Sequence, residues 1–151
     1  MVKHLFRTGQ HRAATDTLIE HIATLDPSAR TEKLATYREF TAEGKLKKWS
    51  MSWCNIRALP ESFGALECEG VLTLSDNELT CLPTSFGKIV VGGNLDLRFN
   101  KLESLPEHFN EIVVGGYLCL SRSHFAPGEC PQPDAFPNVK ELSLWPRHSE
   151  T

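Results

Sequence analysis

Leu72-Thr73-Leu74-Ser75-Asp76-Asn77-Glu78-Leu79-Thr80-Cys81-Leu82-Pro83-Thr84-Ser85-Phe86 returns 23 residues later as Leu95-Asp96-Leu97-Arg98-Phe99-Asn100-Lys101-Leu102-Glu103-Ser104-Leu105-Pro106-Glu107-His108-Phe109. The same step links Pro60, Pro83 and Pro106, and it links Phe63, Phe86 and Phe109. Leu59, Leu82 and Leu105 follow it, as do Gly70, Gly93 and Gly116. Several chemically distinct positions recur together, so the period describes a structural unit rather than a bias toward leucine.

Working outward, the unit before this pair carries Trp49, Met51, Cys54, Ile56, Leu59, Phe63, Leu66 and Cys68 in the matching places. A fourth unit starts in register with Leu118, Leu120, Ser123 and Phe125. Ala126-Pro127-Gly128-Glu129-Cys130-Pro131-Gln132-Pro133 then replaces the Leu-Pro-x-x-Phe segment and predicts a looser loop. Val139, Leu142 and Leu144 restart a last strand one residue late, and Trp145-Pro146 ends it.

The pattern L-x-L-x-x-N-x-L-x-x-L-P-x-x-F over residues 47–145 resembles the leucine-rich repeat family in its roughly 23-residue form. The resemblance implies an α/β chain: a short leucine-rich repeat solenoid with a parallel β-sheet on its concave face and an N-terminal α-helical cap. The division expected is a cap at 1–46, four repeats plus a terminal strand at 47–146, and a tail at 147–151. The Val-Gly-Gly phrases depart from the family pattern, and Gly92 and Gly115 predict a tight turn or a close backbone approach.

Each part of the unit has a physical reason. Leu72 and Leu74 are two apart, so on a strand both face one side, while Val71, Thr73 and Ser75 face the other. Asn77 and Asn100 can bond backbone groups of the turn that follows and form a ladder, with Cys54 and Ser123 in the matching outer places. Pro83, fixed near φ −65° and without a donor, suits an extended or short 3₁₀ return path.

Residues 1–45 differ in texture. Ala13, Ala14, Leu18, Ile19, Ile22 and Leu25 recur at three- and four-residue steps, which predicts an amphipathic helix. Asp26-Pro27 restarts the chain as N-cap and first helical position, Leu34, Tyr37, Arg38 and Phe40 follow, and Gly44 stops the helix. A helical hairpin closing the first unit is the expectation.

The outward strand positions are free to carry function. Trp53, Phe99, Tyr117 and Trp145 stand where folding does not require aromatics, with Arg98 and Arg122 beside them and Thr73, Asp76 and Asp96 nearby. Aromatic and arginine side chains dominate interface energetics, so these nine residues are the candidate partner-binding set. Five strands about 4.8 Å apart stand roughly 20 Å high, which suits a helix, a loop or a short peptide.

Chemistry finds little footing. No phosphate-cradling glycine motif and no His-Glu-x-x-His is present, and the six histidines are scattered. Cys119, His124 and Cys130 are the local zinc candidates, at irregular spacing. Cys119 near Arg98 or Arg122 is the candidate nucleophile, with no base beside it. No catalytic, cofactor-binding or metal-binding residue is therefore expected.

A net charge of −3 gives no field toward nucleic acid or anionic lipid, and the basic run at Lys45–Lys48 reads as a solvated edge. Met1–Arg7 lacks a secretory apolar core, and no run approaches the ~18 apolar residues of a membrane span. Five cysteines without framework spacing read as reduced thiols, and so as a cytoplasmic or host-cytosol setting.

The expectation is a non-enzymatic, monomeric module that binds a protein or peptide on its concave face, as an adaptor or effector. Some bacterial effectors resemble this layout, with short helices before repeats and a ubiquitin-ligase domain after them. The chain stops soon after Trp145, so the alternative it leaves is a recognition subunit of such an enzyme. Self-association through the terminal strand is a further alternative, and Pro146 argues against it by blunting the edge.

Overall fold

The structure is a computed structural model describing residues 1–122, 125 and 130–145. Ser123, His124, the Ala126–Glu129 part of the proline-rich loop and Pro146 lie outside the described residues.

Three helices come first: α1 (Val2–Arg7), α2 (His11–Leu25) and α3 (Thr31–Thr36). Eight strands follow: β1 (Arg38–Phe40), β2 (Leu46–Ser50), β3 (Glu67–Cys68), β4 (Leu72–Thr73), β5 (Val90–Val91), β6 (Leu95–Asp96), β7 (Val113–Ser121) and β8 (Val139–Trp145). They form one sheet in the order β1-β2-β4-β6-β7-β5-β3, with β8 beside β7. None of the described helices is long and apolar enough to cross a membrane.

The expected architecture needs correction. In place of a plain leucine-rich repeat solenoid, with one parallel ribbon and an all-helical cap, the chain builds a mixed eight-stranded sheet with three helices. Strand β1 is antiparallel to β2, whereas every other pairing is parallel. Two short rows, β2-β4-β6 and β3-β5, both run into the long strand β7. The second row arises because Glu67-Cys68, Val90-Val91 and Val113-Val114 share the 23-residue step and pair in register. The valines among them, being β-branched, suit a pleated surface.

The 23-residue register itself is observed. Trp49 pairs with Leu72, Leu72 with Leu95, and Leu95 with Leu118. Leu74, Leu97 and Leu120 are fully buried, as are Leu72, Leu95 and Leu118. Against β7 the last strand pairs Leu120 with Leu144, one residue out of step, after an irregularity between Val114 and Tyr117. Behind the sheet, 3₁₀ turns at Glu61–Ala65, Thr84–Lys88 and Phe109–Glu111 carry a phenylalanine spine. Phe63, Phe86 and Phe109 stack with centroids 5.9 Å apart, and Phe136 closes the row edge-on.

The asparagine ladder is built as expected. Asn77 Nδ2 donates to Met51 O (2.8 Å) in the preceding unit and to Leu74 O (3.0 Å) in its own. Its Oδ1 accepts from the backbone N–H groups of Cys54 and Ile56. Asn100 repeats this toward Leu74, Leu97 and Leu79. The glycines serve close approach rather than a turn: a Cβ on Gly92 would fall on the carbonyl of Glu69, and one on Gly115 on the carbonyl of Gly92.

In the cap, α2 buries Ala14, Leu18 and Ile22, as the periodicity predicts, while Leu25 is exposed. The second predicted helix is cut short. It covers Thr31–Thr36, after which Arg38–Phe40 turns into a strand paired with β2, and Gly44 (φ +84°) sits in the hairpin loop. Pairing is favoured there because Arg38 reaches Thr15 (2.8 Å) and Asp16 (2.6 Å), and the Arg12 guanidinium lies 4.2 Å over the Phe40 ring. Asp26 is likewise not a helix N-cap. Its Oδ1 accepts from the Ser28 hydroxyl and N–H, and its Oδ2 from the Arg57 N–H (2.6 Å). Helix α1, with Val2 and Phe6 buried, is an element the sequence reading does not contain.

Candidate functional site

Two depressions mark the side of the sheet opposite the buried leucines. The first, about 630 Å³, has Thr73, Asp96, Arg98 and Cys119 in its lining, walled by Tyr37 and Glu39 from β1 and its approach. The second, about 380 Å³, lies where the strands end, lined among others by Trp53, Asp76 and Phe99.

Asp96 and Arg98 sit two residues apart on the extended path that runs on from β6, so both face the same side. Arg98 Nε donates to Asp96 Oδ1 at 2.9 Å and Nη2 to Oδ2 at 2.8 Å. The backbone N–H of Arg98 also donates to Asp96 Oδ1. The bidentate bond from Asp96 pushes the pKa of Arg98 above its ordinary value, against the effect of burial. The guanidinium lies 5.6 Å from the Phe99 ring and 5.7 Å from the Trp145 ring. One fixed cation thus lies within 6 Å of two half-exposed aromatic rings.

The nine predicted residues fall into separate groups. Asp96, Arg98, Phe99 and Trp145 form the cluster just described. Thr73 belongs to a hydroxyl network, with Ser52 at 3.0 Å and Ser75 at 3.2 Å. Trp53 and Asp76 join Phe99 at the second depression. Tyr117 is exposed, its backbone N–H held by Asn94 Oδ1 (2.8 Å), and it lines neither depression. Arg122 is half-buried, with its Nη1 3.9 Å from the Cys130 sulfur.

Sequence reasoning missed Tyr37, Arg38 and Glu39 at the rim of the larger depression. The available signal was Gly44 between two short segments able to pair as a hairpin, Arg38-Glu39-Phe40 and Leu46-Lys47-Lys48-Trp49-Ser50. It also missed the backbone at Trp53, Asp76 and Phe99, all left-handed at φ 59°, 59° and 61°. No glycine stands there to announce it.

Burial pushes the Cys119 thiol up, and Asp96 adds to that, while Arg98 and Ser143 pull the other way without prevailing. A raised thiol pKa disfavours the thiolate a nucleophile needs. Burial likewise pushes the Cys68 thiol up to about 11, and all five cysteines are free thiols. Among the described residues no three His, Cys, Asp or Glu side chains cluster in a way that could hold a metal ion. His124, the third member of the zinc candidate, lies outside them.

Comparison of the chain with protein-family models, with curated proteins and with solved structures finds no match.

Proposed function

We propose that the chain is a monomeric, non-enzymatic binding module that engages a protein or peptide on the exposed side of its sheet. The supporting observation is Arg98, held by the two bonds it donates to Asp96 and placed beside the Phe99 and Trp145 rings. A planar donor fixed in advance loses little freedom on binding, and aromatic neighbours supply contact area at small entropic cost. The resemblance of the repeat to leucine-rich repeat proteins supports the same reading. A photoreactive residue placed at Thr73, on the sheet side, is expected to cross-link the partner in lysate. The same residue placed at exposed Glu103, which lines neither depression, is expected not to. Adducts only from position 103 would move the site off this face.

A further inference from the structure

Trp53, Asp76 and Phe99 are 23 residues apart and share a left-handed backbone, at φ 59°, 59° and 61°. That conformation crowds Cβ against the following carbonyl; glycine, asparagine and aspartate adopt it most readily, bulky residues least. Asp76 conforms to this preference. Trp53 and Phe99 do not, and burial does not explain them, since Trp53 is 64% and Phe99 47% exposed. Two large rings are therefore held outward at positions where a small residue would be less strained. Phe99 has the Arg98 guanidinium 5.6 Å from its ring and Trp53 has no ring contact among the described residues, and strain kept for so little packing points to a use outside folding.

The register sets the geometry. Neighbouring strands lie about 4.8 Å apart, so Trp53 and Phe99, two steps apart, leave the backbone roughly 9.6 Å from one another with Asp76 midway. Allowing for the thickness of two rings, about 6 Å remains, room for one side-chain end between them. The three residues border one depression of about 380 Å³, together with Arg30, Glu78 and Lys101.

The charges distinguish Asp76 from its neighbours. Asp96 is taken by Arg98, and Glu78 is shared by Arg57 (3.4 Å) and Lys101 (3.5 Å). Among the described residues the Asp76 carboxylate accepts no hydrogen bond and closes no ion pair; Arg98 acts on it only through space. Two exposed ring systems flanking a carboxylate that holds no hydrogen bond or ion pair among the described residues complement a cation that carries apolar stem.

We propose that Trp53, Asp76 and Phe99 form a clamp for one lysine or arginine side chain of the bound polypeptide, the rings embracing its stem and cationic end and Asp76 meeting its charge. This rests on the binding-module reading above and names the chemistry one end of that face selects.

The test is panning of phage-displayed random peptides on the intact chain, followed by binding of synthetic versions. Enriched peptides are expected to share a lysine or arginine, and its replacement by norleucine or glutamate to weaken binding about ten-fold. Asp76→Asn is expected to weaken it roughly three- to ten-fold. Trp53→Asn and Phe99→Asn are each expected to weaken it about ten-fold or more while the variants melt no earlier than the parent. Equal binding of the norleucine peptide overturns the clamp, as does enrichment of acidic peptides whose binding Arg30→Ala abolishes. Peptides lost on Arg98→Ala or Tyr117→Ala but kept by Trp53→Asn and Phe99→Asn overturn the clamp and leave the sheet-face reading standing. If no peptide is enriched and partner cross-linking at Thr73 is absent, both fail.

Discussion

Asp26 accepts a 2.6 Å hydrogen bond from the backbone N–H of Arg57, joining the end of α2 to the first stacked unit across 31 residues. The carboxylate is buried and also accepts two hydrogen bonds from Ser28. Burial by itself would raise the pKa of Asp26, but the bonds from Ser28 and Arg57 outweigh it and hold it below the ordinary carboxylate value. Asp26→Ala leaves the Arg57 N–H without its acceptor, and a loss of about 2 kcal/mol is expected in chemical denaturation.

The same group sets an acid limit. A carboxyl whose folded pKa is depressed contributes stability above its unfolded pKa and loses it as pH falls through the folded value. Glu61 behaves alike: burial raises its pKa, and bonds from Thr84 and Ser85 outweigh that and lower it. Stability is therefore expected to be flat near neutrality and to fall below about pH 4. Asp26→Asn should flatten that acid limb in pH-dependent melting. An unchanged acid limb in the variant would show that Asp26 is not its source.

Asn77 engages five backbone groups through one buried amide, those of Met51, Cys54, Ile56, Leu74 and Ser75. Asn77→Ala strands them together, and a loss of about 3 kcal/mol is expected, since each unsatisfied buried group costs about 1–3 kcal/mol and some will find water. Asn100→Ala, at a half-buried position, should cost less. Urea denaturation of both variants checks the order; equal losses would mean that the two rungs are equivalent.

At Gly92 the limit is space. A Cβ would fall on the Glu69 carbonyl, which is backbone and cannot swing aside. Gly92→Ala is expected to cost about 1–3 kcal/mol through forced separation of adjacent units, the reverse of what alanine does at an unstrained site. A melting temperature equal to or above the parent's would contradict the close stacking.

The contrast between residues explains what could be read without coordinates. The leucine, phenylalanine and asparagine positions were legible because a buried column must repeat in type at a fixed step, as Leu72, Leu95 and Leu118 do. Gly92 and Gly115 were legible as a tight turn or a close approach, and the folded path selects the second, where only a missing side chain lets two backbones meet. Tyr37 and Phe40 misled because three-residue spacing suits a helix face, whereas pairing with β2 is a long-range effect that local spacing does not carry. The second strand row was hidden for a related reason. Val91 and Val114 fit an interior column whether or not a ladder forms along it, and only the parallel pairing of Val90 with Val113 joins this row to β7, while the antiparallel pairing of β1 with β2 is what makes the sheet mixed. In the candidate site, residue type singled out Arg98 and its aromatic neighbours, while the Asp96 fork and the left-handed backbone under Trp53 and Phe99 depend on the folded path.

The most direct measurement of the binding account is partner recovery by the intact chain and by its Arg98→Ala, Phe99→Ala, Tyr117→Ala triple variant, with melting followed on the same samples. All three side chains are at least partly exposed, so the variant should melt within about 3 °C of the parent, as surface changes away from the core usually do. Recovery is predicted to fall about ten-fold or more. A variant that melts normally and still recovers the partner in full would contradict the claim that this face does the binding.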